Sequence, residues 1–203
     1  MTRMCRCLGV LLFAAATSYG IAQEVEKRGK EVEKPGVEEE KREITVGSVL
    51  SSSVTHANRM LFAIAMAMPE DKYGFVPTNG EFKGVRTFGQ QLKHVAAANF
   101  IYASSILGEK PPVDVGEDED GPASLKGKDE IIQYLKRSFA YVQKAVATIN
   151  ANNVVTPFKN PFGDGQATRL SMVTFIIGHC DDHYGQLDLY LRMNGIEAAA
   201  GRR

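Results

Sequence analysis

The sequence predicts an all-α domain built as a four-helix bundle. Four segments of helical length carry apolar residues that recur at intervals of three and four, and no segment shows sustained strand-like alternation. Stretches rich in Gly, Pro and Asn separate the four. Amphipathic helices of this kind bury their apolar faces only against one another, and for four of them a bundle is the economical solution. The three connections are long for a plain up-and-down hairpin arrangement, so at least one is expected to cross the bundle.

Residues 1–22 come before any of this. Arg3 and Arg6, an apolar run from Leu8, and the small residues Gly20 and Ala22 form the pattern of a secretory signal peptide. The apolar run is well short of a bilayer span. Cleavage after Ala22 is therefore expected, giving an exported protein, periplasmic or secreted, with no stable membrane span. Cys5 and Cys7 leave with the leader and precede its apolar run, which argues against a lipid-modified cysteine. Cys180 is then the one remaining thiol, so no internal disulfide is available and stability has to come from a core or a bound metal. The 24 basic and 24 acidic side chains balance, and loss of Arg3 and Arg6 leaves the chain slightly acidic, so nucleic acid is not an expected partner.

Residues 23–43, "QEVEKRGKEVEKPGVEEEKRE", are dense in charge and nearly free of large apolar side chains; they are expected to form a solvated, flexible tether. The domain proper is expected over residues 44–196. Its first helix, 44–68, repeats Val46, Leu50, Val54, Ala57, Leu61, Ile64 and Met68 and stops at Pro69. The second begins near Thr87, a suitable N-cap, presents Phe88, Leu92, Val95, Asn99 and Tyr102 or Ile106, and closes at Gly108 before Pro111 and Pro112. After the acidic loop "VDVGEDEDGPAS" the third covers 128–149, with Ile131, Leu135, Phe139, Val142 and Val146 inward. The segment "NANNVVTPFKNPFGDGQ" then breaks the chain. A fourth helix over 167–193 ends at Asn194 and Gly195, and residues 197–203 follow as a tail.

All four histidines fall in predicted helices. His179 and His183 are one turn apart on one face, so their imidazoles can converge on a single ion. Zinc and similar divalent ions accept imidazole nitrogen, and a catalytic site takes three protein ligands and leaves a position for water. His94, midway along the second helix, is the candidate third ligand. The alternative for His94 is a hydrogen-bonded core histidine. His56 lies at the margin of the first helix's stripe, as a group supporting the site from outside or simply exposed. Zinc-peptidase patterns do not match: Cys180 stands where H-E-x-x-H needs Glu, and the inverted motif needs a ligand far downstream of His183, where the chain is nearly over.

"TFGQQLKHVAAANF" together with "GHCDDHYGQLDLYLRMNGI" resembles the DinB-like family of metal-binding four-helix bundles, a similarity that runs from about Thr45 to Ile196. The resemblance implies that a histidine of helix two joins a pair spaced by four in helix four, which here are His94, His179 and His183. It also implies a long crossover between helices two and three. Understood members include thiol-cofactor-dependent transferases and isomerases, so the resemblance transfers a site rather than a reaction.

Around that site, Asp182 lies about 60° from His179 on the helix; it is either a base beside the ion or a solvated carboxylate. Cys180 reads as a small buried residue, Gly185 as a point of close helix contact, and Arg192 and Asn194 as caps of the helix end. The expected cofactor is one divalent ion, zinc or nickel. The expected function is a metal-dependent enzyme, a hydrolase or thiol transferase acting on an unidentified small molecule, with Asp182 as the catalytic candidate and an open position for water or thiolate. The alternative is a non-catalytic metal-stabilised binding or interaction domain, with a homodimer as its expected assembly, whose site is closed by His56 or Asp182.

Limited proteolysis of the full chain is expected to trim residues before about Thr45 without loss of helical circular dichroism, because the charged segment has little to bury. Resistance to cleavage there would show that it docks.

Overall fold

The structure, a computed structural model, describes residues 43–81 and 83–197. The expected leader over 1–22, the charged segment up to residue 42 and the tail beyond residue 197 lie outside the described residues. Four helices dominate: α1 (Val46–Ala67), α2 (Phe88–Leu107), α3 (Lys128–Val146) and α4 (Arg169–Met193). None among the described residues is long and apolar enough to cross a membrane.

Three of the four starts use the same device. Thr45, Thr87 and Thr168 each accept from the backbone N–H three residues on, and the side chains of Ser48, Gln90 and Ser171 accept in return from the threonine N–H. These reciprocal caps satisfy helix-end donors that would otherwise be orphaned. At α3 the Glu130 carboxylate accepts from the N–H groups of Gly127 and Lys126. α1 ends as Met68 turns extended ahead of Pro69, and α2 ends at Gly108, whose φ of 70° is left-handed.

Contacts between the helices define their order and direction. Around the bundle the sequence of neighbours is α1, α3, α2, α4, which places α1 diagonal to α2 and α3 diagonal to α4. Ser51 near the start of α1 bonds Gln143 near the end of α3, and Lys128 at the start of α3 reaches the Met66 and Met68 carbonyls, so these helices are antiparallel. Asn99 meets Ser138 and Ser104 meets Tyr141, so α2 and α3 run parallel. Gln91 meets His183 and Asn99 meets Cys180, so α4 runs against α2. The bundle is up-down-down-up, and the expected crossover does join helices two and three.

That crossover, residues 108–127, has to return along α2 to start a parallel neighbour about 28 Å back. It lies against α2 on the way: Lys93 Nζ donates to the Pro122 carbonyl, and a Cβ on Gly121 would come within 3.0 Å of Lys93 Cβ. Asp118 (φ 48°) and Glu119 (φ 61°) are held in the left-handed region in spite of their side chains. Enclosed by α3, α4 and the crossover, α2 buries 15 of its 20 residues. The single apolar stripe expected for it is therefore too narrow; Tyr102 and Ile106 are both buried, and Ala96, Ala97 and Ala98 keep the backbones close.

The core is otherwise the one the periodicity predicts, with Val54, Leu61, Leu92, Leu135 and Phe139 at or below 1% exposure. Val46 departs from its expected place and is exposed. A short antiparallel hairpin, β1 (Pro157–Lys159) and β2 (Gln166–Thr168), occupies the break before α4. Three-residue strands are too short to leave a period in the sequence.

Candidate metal centre

The antiparallel contact of α2 and α4 brings His94, His179 and His183 together. One ring nitrogen from each lies within 4.8 Å of the others, and His94 Nε2 is 3.2 Å from His179 Nε2. Two nitrogens bound at about 2.0–2.1 Å to one tetrahedral zinc lie about 3.3–3.4 Å apart, so this separation suits a shared ion. His94 and His183 are buried and His179 partly so.

The outward-facing nitrogens are anchored. His94 Nδ1–H donates to the Glu119 carbonyl at 3.0 Å, and His183 Nδ1–H donates to Oε1 of the buried Gln91 at 3.0 Å. A carbonyl only accepts, so these bonds put the protons on Nδ1 and leave Nε2 lone pairs facing the cluster. His179 Nδ1 is buried without a hydrogen-bond partner among the described residues. As a purely hydrogen-bonded network this is expensive, because the Nε2 lone pairs of His94 and His183 both turn toward the cluster. The donor set fits one divalent ion.

Burial lowers the pKa of all three imidazoles, and repulsion from neighbouring histidines adds to it at His179 and His183. His179 falls from 6.5 to about 3, through desolvation first and then the other two histidines. His183 falls to about 4, and His94 is lowered by desolvation and by the Arg86 guanidinium. All three are neutral at pH 7, the state that ligates a metal.

His179 also forms part of the wall of an open cleft of about 720 Å³, with Leu170, Phe175, Gly178 and Asp182. Phe175 stacks on the His179 ring at 6.2 Å between centroids, and Tyr102 packs edge-on against both Phe175 and Phe162. Asp182 is exposed on this cleft, and its Oδ2 accepts from Gln186 Nε2 at 2.9 Å. His56 is exposed beside Arg59 on α1 and is not part of the cluster. Among the described residues no fourth His, Cys, Asp or Glu joins the three.

Several neighbouring residues differ from expectation. Nothing lies within 4 Å of where a Gly185 Cβ would be, so this glycine faces open space rather than a helix contact. Arg192 pairs with Asp188 at 2.7 Å instead of capping the helix, whereas Asn194 Nδ2 does donate to the Tyr190 carbonyl. Cys180 is buried as expected, and desolvation pushes its thiol up to about 12, leaving it inert. Gln91, Glu119 and Phe175 were not singled out by sequence reasoning. Gln91 and Phe175 sit three and four residues before a histidine on its own helix face, a signal that was available. Glu119 acts through its backbone, which leaves none.

Two outcomes follow. His179→Ala or His183→Ala is expected to remove most of one bound divalent ion per chain, while His56→Ala leaves it, by metal analysis of purified protein; stoichiometric metal in His179→Ala would refute the ligand set. The metal-free protein should also be acid-sensitive. Folded-state values of about 3 and 4 lie below the unfolded 6.5, so this contribution is complete above pH 6.5 and is lost as pH falls toward 4 and then 3. Thermal midpoints between pH 7 and 4 check it: the fall should be shallower in a His179→Ala/His183→Ala variant, and an equal fall would remove the histidines as its cause.

Comparison with known proteins agrees with this fold. A crystal structure of a conserved protein from Enterococcus faecalis superposes with a TM-score of 0.60 at 14% identity, covering 74% of this chain and 98% of that one. A DinB-like protein from Bacillus cereus superposes with a TM-score of 0.59 at 17% identity, covering 76% of this chain and 95% of that one. No curated protein matches the chain. The DinB superfamily matches over residues 31–187. With an up-down-down-up bundle, three histidines gathered between α2 and α4 and a family match across most of its length, this chain belongs to the DinB superfamily.

Proposed function

We infer that this protein is an exported metal-dependent enzyme, a hydrolase or thiol transferase, with His94, His179 and His183 holding one zinc or nickel ion. The observation that carries the reading is a three-nitrogen cluster at the edge of an open cleft, with no fourth protein ligand joined to it among the described residues. Structural zinc sites are closed by four protein ligands, whereas catalytic ones keep a position for substrate or water. When bound, such an ion supplies Lewis acidity and brings the pKa of a water or thiol at its open position toward neutrality.

The chain's own groups do the rest. Leu170 and Phe175 give the cleft an apolar wall for the body of a small molecule. Asp182, in the same lining as His179, is the carboxylate available to accept a proton, and Gln186 holds one of its oxygens. The leader pattern in residues 1–22 supports export, which favours hydrolysis over a reaction that needs a cytosolic low-molecular-weight thiol.

Protein loaded with zinc or nickel and offered ester, amide and thiol-transfer substrates is expected to show activity that a chelator abolishes. Asp182→Asn should keep its metal and lose about 10²–10⁴-fold in kcat. If no chelator-sensitive turnover is found and metal removal only lowers the thermal midpoint, the ion is structural.

A further inference from the structure

We propose that Arg86 and Asp120 form a clamp that positions His94 for metal binding through the Glu119 carbonyl. The inference rests on the reading of the three histidines as ligands of one ion. Arg86 Nε donates to Asp120 Oδ1 at 2.7 Å, and the adjacent residue, Glu119, supplies the carbonyl that accepts from His94 Nδ1–H at 3.0 Å. The backbone carbonyl of Arg86 in turn accepts from the Tyr190 hydroxyl at 3.2 Å. Arg86 stands immediately before the N-cap of α2, and Tyr190 is on α4. One residue thus ties together the start of the helix that carries His94, the helix that carries His179 and His183, and the crossover that orients His94.

The Arg86 and Asp120 side chains are 35% and 50% exposed. An ion pair so open to solvent adds little to global stability. Its effect is geometric. Asp118 and Glu119 sit in left-handed backbone that side chains disfavour, and such conformations persist only where the surroundings over-determine them. The N–H groups of Asp120 and Gly121 close the segment on the Glu117 and Val115 carbonyls, and the Arg86 guanidinium supplies the side-chain restraint. Without it the segment relaxes, the Glu119 carbonyl turns away, and neither the ring angle nor the tautomer of His94 is set. Asp120 has a second consequence for a cation site. The Arg86 guanidinium lies close enough to affect all three histidines, and at His94 the Asp120 carboxylate works against that charge.

Geometry and charge separate in two variants. Asp120→Ala removes both, whereas Asp120→Asn keeps an acceptor oxygen for Arg86 and removes only the charge. Zinc affinity of the full chain, measured by competition with a chromophoric chelator, is expected to fall 10–100-fold in Asp120→Ala, the usual effect of losing such an outer partner. Asp120→Asn should recover most of it. In the metal-free protein, long-range ¹⁵N spectra should show His94 as the Nδ1–H tautomer in wild type and Asp120→Asn, and a mixture in Asp120→Ala that remains folded by circular dichroism. Wild-type zinc affinity or an unchanged tautomer in Asp120→Ala overturns the clamp. So does Asp120→Asn binding as weakly as Asp120→Ala, which would make the effect one of charge. Failure of the wild type to bind either zinc or nickel would instead overturn the ligand assignment, and the tautomer spectra would then decide the clamp alone.

Discussion

Burying imidazole nitrogens between two helices is the constraint around which this bundle is arranged. A buried polar atom without a partner costs more than a made hydrogen bond returns, and of the three rings only His179 leaves its outer nitrogen unbonded among the described residues. The outer nitrogens of His94 and His183 find Glu119 and Gln91. The inner nitrogens face one another at the α2–α4 contact, and a shared divalent cation would satisfy them together. Burial and the neighbouring charges disfavour the other solution, a charged imidazolium at neutral pH.

The topology serves the same end. Parallel neighbours α2 and α3 need a connection that runs the length of a helix, and here that connection is laid against the face of α2 where His94 emerges. A segment required by chain connectivity therefore also supplies a carbonyl to the site. Gly121 permits the close approach, since a side chain there would press on Lys93. The strained backbone at Asp118 and Glu119 belongs to the same contact.

At His179 the site meets an open cleft. Phe175 and Tyr102 continue the histidine cluster into an aromatic wall, and Phe162 reaches it from the turn of the hairpin that precedes α4. Phe162 and Phe175 remain 44% and 51% exposed, which leaves apolar surface beside the centre for a ligand. Asp182 shares the cleft lining with His179, whereas Arg86 and Asp120 connect to the centre through the Glu119 segment.

The helices, the Thr87 cap and the histidine pair could be read in the sequence because they are local. Periods of three and four mark the buried stripes, although on α2 the buried surface is wider, and a spacing of four puts His179 and His183 on one face whatever the helix packs against; Thr45 and Thr168, which fall inside the expected helices, are caps in the structure. His94 was identifiable from its place in helix two and from the family resemblance, and its approach to the pair then depended on how the helices packed. The remaining features required tertiary structure. A hairpin of three-residue strands has no detectable period, the openness around Gly185 depends on where other helices lie, and the exclusion of His56 depends on which face of α1 meets its neighbours. The Glu119 contact is the clearest case, because every residue has a backbone carbonyl and only the path of the chain decides which one meets a histidine 25 positions away.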